Sequence, residues 1–239
     1  MQKETVQNYL DTLSYSQRIY LFGIVNLNQR DLVISWDIDQ VLSRTEIPVL
    51  DYCDKDLGTN YSSRKIIGWN SIANWLVEDD LMNKKDALEY EWRVWSDPKI
   101  LLAGEANQKL RNLSIVANVR GVKQYVTTSR IPSLADSTFM WLNHNFPWIP
   151  TDHIGINPNS NLDGNEFKAR RVAELFKFNP GMVHLDDSMR LARTLLQKAP
   201  DIGFLGFPAE GESFEGLLGE RRIFFPNISV FEDLLYYSP

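Results

Sequence analysis

Leu32-Val33-Ile34-Ser35-Trp36-Asp37-Ile38-Asp39 is the stretch that decides the fold. Its first five residues are mostly apolar and include two β-branched side chains, the composition of a short strand buried on both faces. The strand ends in two aspartates one residue apart. Before it lies a polar, turn-like stretch, Asn26 to Asp31, and before that a helical region in which Ser14 and Gln17 form a candidate capping box for a helix running to about Val25.

Downstream the character changes twice. From about Ser43 to Gly104 strand signals fade and tryptophans gather (Trp69, Trp75, Trp92, Trp95). Lys84 to Trp95 reads as a helix that Asp97-Pro98 breaks, and the segment as a whole as a mostly helical insertion. After Gly104 an alternation sets in. A helix is expected from about Glu105 to Asn118, with Gly121 after its end, then a strand from Lys123 to Thr128 and a helix from about Ser133 to Asn145. A short strand follows at His153 to Ile156, a helix at about Glu166 to Phe176, and a strand from Met182 to Leu185 that runs into Asp186-Asp187. A helix from Met189 to Lys198 and a strand from Ile202 to Leu205 come next; Arg222 to Phe225 can add another strand, and the last residues look helical. Such alternation implies an α/β fold, a three-layer, Rossmann-like, mainly parallel sheet with a small helical cap inserted after the first core strand. The expected division is an N-terminal helical extension over 1–30, a core over 31–42 and 105–239, and the cap over 43–104. The N-terminal helices could pack on the core, cover a sheet edge or make a homodimer contact.

The chain has 239 residues, enough to bury a core without staples, and a net charge of −6 that offers no general attraction to nucleic-acid polymers or anionic membranes. Cys53 is the only cysteine, so an intrachain disulfide is excluded, and with three histidines a Cys/His zinc site is disfavoured. The start lacks the apolar stretch of a secretory signal, and Tyr20 to Val25 is too short to span a bilayer. The protein is expected in the cytoplasm.

In a parallel sheet the ligand lies at the carboxyl ends of the strands. Three expected strands end in polar chemistry there: Asp37 and Asp39; Thr127-Thr128-Ser129-Arg130; Asp186-Asp187. Lys168, opening the helix before the last of these strands, can add a cation. Taken alone, Asp37 and Asp39 fit an acidic turn, and Asp186-Asp187 fit the N-cap region of a helix beginning near Ser188. Together they fit a site, because crowded carboxylates repel unless a cation sits among them. Magnesium suits hard oxygen ligands. Phosphoryl transfer needs cations on the phosphoryl oxygens and an in-line nucleophile, which a carboxylate can be.

Asp37-Ile38-Asp39-Gln40-Val41, Thr128-Ser129-Arg130, Lys168 and Asp186-Asp187 resemble the four ordered motifs of the haloacid dehalogenase superfamily of phosphohydrolases over roughly Leu32 to Pro208. The resemblance implies Asp37 as nucleophile and Asp39 as general acid/base with its backbone carbonyl on the metal. It implies Thr128, Ser129, Arg130 and Lys168 as phosphate-binding residues, and Asp186 with Asp187 completing a Mg2+ site begun by Asp37 and Asp39. Thr127 could take the place given to Thr128, and Arg130 could instead cap its own loop or pair with Asp136. Where the family often has glycine this chain has Gln40, which resists positive φ, so the loop is expected to differ in detail. Within the superfamily the chain is most similar to the 5'(3')-deoxyribonucleotidase-like group. That implies a small phosphorylated substrate, a nucleoside monophosphate with its base held by cap aromatics. A sugar phosphate, or a catalytically silent binding role, is the alternative.

The cap tryptophans read mainly as core, His184 as a packed strand residue, and His144 and His153 as carrying no ligand spacing. Asn159, Asn161, Asp163 and Gly164 mimic the start of a calcium loop, but the twelfth position is Arg170 rather than the required glutamate.

Overall fold

The computed structural model of the chain describes residues 2–66, 68, 70–208, 213–214 and 216–236. Trp69 and the last three residues therefore lie outside the described residues. In chain order the elements are α1 (Gln2–Thr12), α2 (Tyr15–Val25), β1 (Val33–Trp36), β2 (Ser43–Arg44), α3 (Glu46–Leu57), α4 (Ser71–Glu78), α5 (Lys84–Trp95), α6 (Pro98–Leu102), β3 (Glu105–Ala106), α7 (Gln108–Val119) and β4 (Lys123–Thr128). They continue with α8 (Ala135–Asn145), β5 (Ile154–Ile156), α9 (Gly164–Phe178), β6 (Met182–Asp186), α10 (Met189–Lys198), β7 (Gly203–Gly206), β8 (Arg222–Phe224) and α11 (Ile228–Leu234).

Six strands form one sheet in the order β5-β4-β1-β6-β7-β8, and every neighbouring pair is parallel. The chain fills one side of β1 with β4 and β5, then crosses to fill the other with β6, β7 and β8. The end of β1 is therefore the switch point where an open α/β sheet leaves a crevice. Alternation along β1 sends neighbours to opposite layers. Ile34 and Trp36 join one core with residues of α1, α2, α7, α8 and α11, whereas Val33 joins a second core with α9 and α10. The N-terminal helices thus belong to the first core through Val6, Tyr9, Leu10, Leu21 and Ile24. The Tyr9 hydroxyl also donates to the Phe224 carbonyl at 3.1 Å. Trp36 is fully buried and its indole N–H donates to Gln124 Oε1 at 3.0 Å, which removes the cost of hiding that donor.

A third core is drawn entirely from the stretch between β2 and β3. Val49, Leu50, Cys53, Tyr61, Ile72, Leu76, Tyr90, Val94 and Ile100 form its centre. Trp75 and Trp95 pack against it, while Trp92 remains 61% exposed. The helix α4 begins after Asn70, which is left-handed and gives no side-chain cap; the buried Glu91 carboxylate instead accepts from the Ala73 N–H at 2.9 Å. The two chain segments that lead into and out of this stretch, β2 and β3, pair antiparallel as Ser43↔Ala106 and Arg44↔Glu105.

The capping box is present: the Ser14 hydroxyl accepts from Gln17 N–H at 3.2 Å and the Gln17 side chain from Ser14 N–H at 3.0 Å. Two helix starts differ from expectation. Glu105 and Ala106 are extended because they pair with β2, so α7 begins only after Asn107, whose side chain caps it. The residues after Pro132 first make a 3₁₀ turn, Pro132–Leu134, before α8. Among the described residues no helix is long and apolar enough to cross a membrane.

Candidate active site

The sheet ladder carries Asp37 straight off β1, since its N–H still donates to the Leu185 carbonyl at 2.9 Å. Its carboxylate is buried and meets the Lys168 ammonium at 3.0 Å. Lys168 projects from the second turn of α9, itself capped by Asp163, and also reaches Asp186 Oδ2 at 2.6 Å. Asp37, Asp186 and Asp187 each place a carboxylate oxygen within 4.8 Å of the other two. Three acids and one lysine thus share the crevice at the switch point. Three hard oxygen donors on rigid strand ends fit a magnesium ion, whose charge would relieve their repulsion.

The charges shape one another. Burial pushes the Asp37 carboxyl up to about 7; Lys168 pulls it down, and Asp186 and Asp39 push it further up. Burial also acts to raise Asp186, but Lys168 and the hydrogen bond from His184 win and hold it at about 2. Burial, followed by the charges of Asp186 and Asp37, raises Asp187 well above the usual carboxylate range. Burial works against the charge on Lys168, yet Asp186 and Asp37 outweigh it and keep the ammonium protonated.

Asp39 is built into a different cluster. Arg130 forks onto it, Nε to Oδ2 at 3.1 Å and Nη2 to Oδ1 at 2.7 Å, and the Thr45 hydroxyl donates to Oδ1 at 2.7 Å. Burial raises its pKa, but Arg130 and Thr45 overcome that and leave it lowered and ionised. Thr45 Oγ1 lies 2.9 Å from Ser43 Oγ; its single proton goes to Asp39, so Ser43 is the donor in that pair. Arg130 therefore neither caps its own loop nor pairs with Asp136: its third nitrogen lies 3.3 Å from Thr138 Oγ1. A bidentate carboxylate outcompetes those partners.

The Asp39 loop corrects the expectation for Gln40. This residue has φ 60, the left-handed turn a glycine would make, and Ile38 carbonyl accepts from both Val41 N–H at 3.2 Å and Ser43 N–H at 2.8 Å. Those bonds and the fully buried Val41 and Leu42 fix the turn despite the Cβ.

Thr127 and Thr128 are both fully buried at the end of β4. Thr128 Oγ1 accepts from the Arg130 N–H at 3.3 Å, whereas Thr127 Oγ1 has no hydrogen-bond partner. Ser129 turns toward the start of α9, so close to Gly164 that a methyl group there would collide with it. The phosphate-binding residues named from the sequence thus stand at the same sheet edge as Asp37.

His184 is more than a packed strand residue. It is fully buried between Ser35 Oγ (2.9 Å from Nδ1) and Asp186 Oδ2 (3.2 Å from Nε2). Burial lowers its pKa against the pull of Asp186, so the ring is neutral at neutral pH. An ionised carboxylate can only accept, so Nε2 carries the proton and Ser35 donates to Nδ1. The ring fixes one oxygen of Asp186, and the Ser188 N–H fixes the other at 2.8 Å. Apolar alternation masked His184 in the sequence; a histidine two residues before an aspartate on one strand face was the available signal. Thr45 carried no such signal.

Beside the acids a cleft of about 360 Å³ opens between the helical insertion and the sheet edge. Gln40, Asp187, Phe207 and Asn227 line it from below, and Glu46, Leu50, Arg64 and Ile66 from above. Among the described residues the aromatic ring lining this cleft is Phe207, from the end of β7, and no tryptophan of the insertion lines it. Trp75 and Trp95 are spent on the insertion's own core.

No family profile matches this sequence, and no curated protein matches it. Solved structures do. A candidate phosphatase from Clostridium difficile superposes with a TM-score of 0.56 at 16% identity, over 85% of this chain and 97% of that one. A HAD hydrolase of family IA, variant 3, from Entamoeba histolytica gives 0.52 at 15% identity, over 86% of this chain and 99% of its own. Protein tyrosine kinase A of Mycobacterium tuberculosis gives 0.57 at 12% identity, over 88% and 100%. The chain has the α/β Rossmann-like fold of haloacid dehalogenase-type hydrolases. A kinase among the neighbours means that the fold alone does not assign the reaction; the site must.

Proposed function

We propose that the chain is a magnesium-dependent phosphomonoester hydrolase working through a phosphoaspartate on Asp37, with a nucleoside monophosphate as substrate. The observation that carries this reading is the convergence of Asp37, Asp186 and Asp187 around Lys168 at the switch point of the sheet. Asp37, Asp186, Asp187 and the main-chain carbonyl of Asp39 would hold the ion, and when bound it supplies positive charge to the phosphoryl oxygens.

The chain's own residues account for the rest. One Asp37 oxygen attacks phosphorus, and the P–O bond to the alcohol breaks with its electron pair left on that oxygen. Lys168, together with Thr128 and Ser129, steadies the phosphoryl oxygens. Asp39 supplies the proton to the leaving oxygen and then takes one from the water that attacks the phosphoaspartate, releasing inorganic phosphate and restoring Asp37. Asp39 is ionised by Arg130 here, so it takes up a proton from solvent as the phosphate dianion draws Arg130 toward itself, and that proton is the one passed to the leaving oxygen. The cleft next to Asp187 has the size class of a small-molecule site and walls of Ile47, Leu50, Ile66, Phe207 and Ile228 that suit a nucleoside.

Phosphate release from nucleoside monophosphates and sugar phosphates tests the reading, with magnesium, with EDTA and with Asp37→Asn. Release that needs magnesium and is lost in Asp37→Asn is expected. Wild-type protein that binds magnesium but releases no phosphate from any compound would remove the hydrolase assignment.

A further inference from the structure

Asp186 is held from three directions. The Lys168 ammonium lies 2.6 Å from Oδ2, His184 Nε2 lies 3.2 Å from the same oxygen, and the Ser188 N–H donates to Oδ1 at 2.8 Å. A carboxylate offers about four lone-pair places, two on each oxygen. Lys168 and His184 fill those of Oδ2 and Ser188 takes one on Oδ1, so one place, on Oδ1, is left for an ion. Asp37 and Asp187 bring oxygens within 4.8 Å of the same carboxylate, and Asp187, partly exposed, opens onto the cleft.

His184 is locked in place for that contact. It stands two residues before Asp186 on β6, so both side chains leave the same face of the sheet. Its partner across the ladder is Ser35 of β1, whose Oγ lies 2.9 Å from Nδ1, and the Phe204 ring of β7 lies 6.0 Å away, centroid to centroid. Ser35, His184 and Asp186 are fully buried. An ionised carboxylate only accepts, so Nε2–H faces Asp186 whether the ring carries one proton or two. Burying an imidazole costs desolvation that a leucine in its place would avoid. None of the catalytic steps uses this ring; what it does is occupy and orient one oxygen of Asp186.

Magnesium demands a near-ideal octahedron, and the narrow bite of a single carboxylate fits it poorly, whereas calcium takes about 6–8 oxygens and accepts carboxylates through one oxygen or both. Resting on the proposed magnesium site, we infer that His184 is a positioning residue that sets which cation the site takes. By filling Oδ2 together with Lys168 it limits Asp186 to one coordinating oxygen, which suits magnesium and disfavours calcium. Partners that hold a metal's carboxylate ligands from behind commonly govern its affinity.

The test is the ratio of the Kd for Ca2+ to the Kd for Mg2+ in wild type, H184L and H184Q, read from thermal melts over a range of each ion. Melting reports binding without turnover, and the ratio cancels any general weakening from a disturbed core. Leucine keeps the bulk and removes the donor; the glutamine amide restores an N–H near the place of Nε2. The expected result is a ratio about tenfold or more lower in H184L, with magnesium affinity falling while calcium affinity is kept or gained, and part of the ratio regained in H184Q. If H184L does not fold, S35A is read instead: it frees the ring from its rear anchor and gives a smaller fall in the same direction. An unchanged ratio, including an equal weakening of both ions, overturns this inference and leaves the magnesium site standing. Failure of the wild type to bind either ion removes the magnesium site and this inference with it.

Discussion

Lys168→Met offers the sharpest physical test of the site, because it removes one charge from a buried cluster without creating a void. The ammonium lies 3.0 Å from Asp37 and 2.6 Å from Asp186. At an effective dielectric of about 20, each contact corresponds to about 5–6 kcal/mol of gross attraction. Most of that is offset by the desolvation of three groups. What truncation exposes is two buried carboxylates with no cation between them, and breaking such an arrangement costs about 3–5 kcal/mol. Urea denaturation in EDTA measures it. The deficit depends on pH. Without Lys168 the folded-state pKa of Asp37, already about 7, rises further and that of Asp186 rises above its unfolded value, so the folded state binds more protons than the unfolded and loses stability as pH rises. The deficit is therefore larger at pH 8 than at pH 5. In an Asp37→Asn, Asp186→Asn background the same Lys168→Met change costs about 1 kcal/mol or less, because both carboxylates in contact with the ammonium are gone and only Asp187 is left to neutralise. Excess magnesium shrinks the deficit in the native background alone. An equal loss in both backgrounds, or a loss below about 1 kcal/mol in the native one, would refute the electrostatic account of the cluster.

Other consequences follow from the same geometry. Gln40→Gly relieves a left-handed residue at φ 60 and raises stability by about 1 kcal/mol, while Gln40→Val lowers it; thermal melts decide, and a destabilised glycine variant contradicts the strain argument. Burial raises the Cys53 thiol to about 11, so the native protein resists thiol reagents at pH 8 and reacts at once in denaturant; rapid labelling of native protein would show that the insertion's core opens. Burial raises Asp54, but bonds from Ser62, Thr59 and the Tyr61 N–H bring it to about 2, against an ordinary value of 3.8. Its contribution is present above pH 4 and lost as pH falls toward 2. Discounted for exposure, it is on the order of 1 kcal/mol, and Asp54→Ala should flatten that limb of the acid-unfolding curve.

Local patterns made much of this molecule readable. The capping box at Ser14 and Gln17, the strand Lys123–Thr128 and the helices Lys84–Trp95 and Met189–Lys198 each carry their own signal within a few residues, and the structure has them at those bounds. The sheet order adds that the polar strand ends meet. What stayed hidden depended on partners far along the chain. Glu105 and Ala106 look helical until Ser43 and Arg44 pair with them. The fork of Arg130 onto Asp39 spans ninety-one positions, and no local rule distinguishes it from a loop cap. The turn at Gln40 is held by Ile38 and by the packing of Val41 and Leu42, which outweighs an intrinsic preference that pointed the other way.

The ribbon made by β2 and β3 has a bearing on how such a chain can change. Departure from the sheet at Ser43 and return at Ala106 lie side by side, hydrogen-bonded to each other. The ribbon is anchored underneath, where Glu232 of α11 meets Arg44 at 3.1 Å and the Asn107 amide at 2.8 Å. A loop whose two ends are already clamped together can be lengthened, shortened or replaced at little entropic cost to its host, because closure entropy grows only slowly with length. The clustered acids Asp37, Asp186 and Asp187 stand on the sheet, below that clamp, whereas Glu46 and the cleft wall it belongs to stand beyond it. A single cassette exchange at residues 44 and 105 would thus replace the upper wall of the cleft while leaving the acid cluster in place.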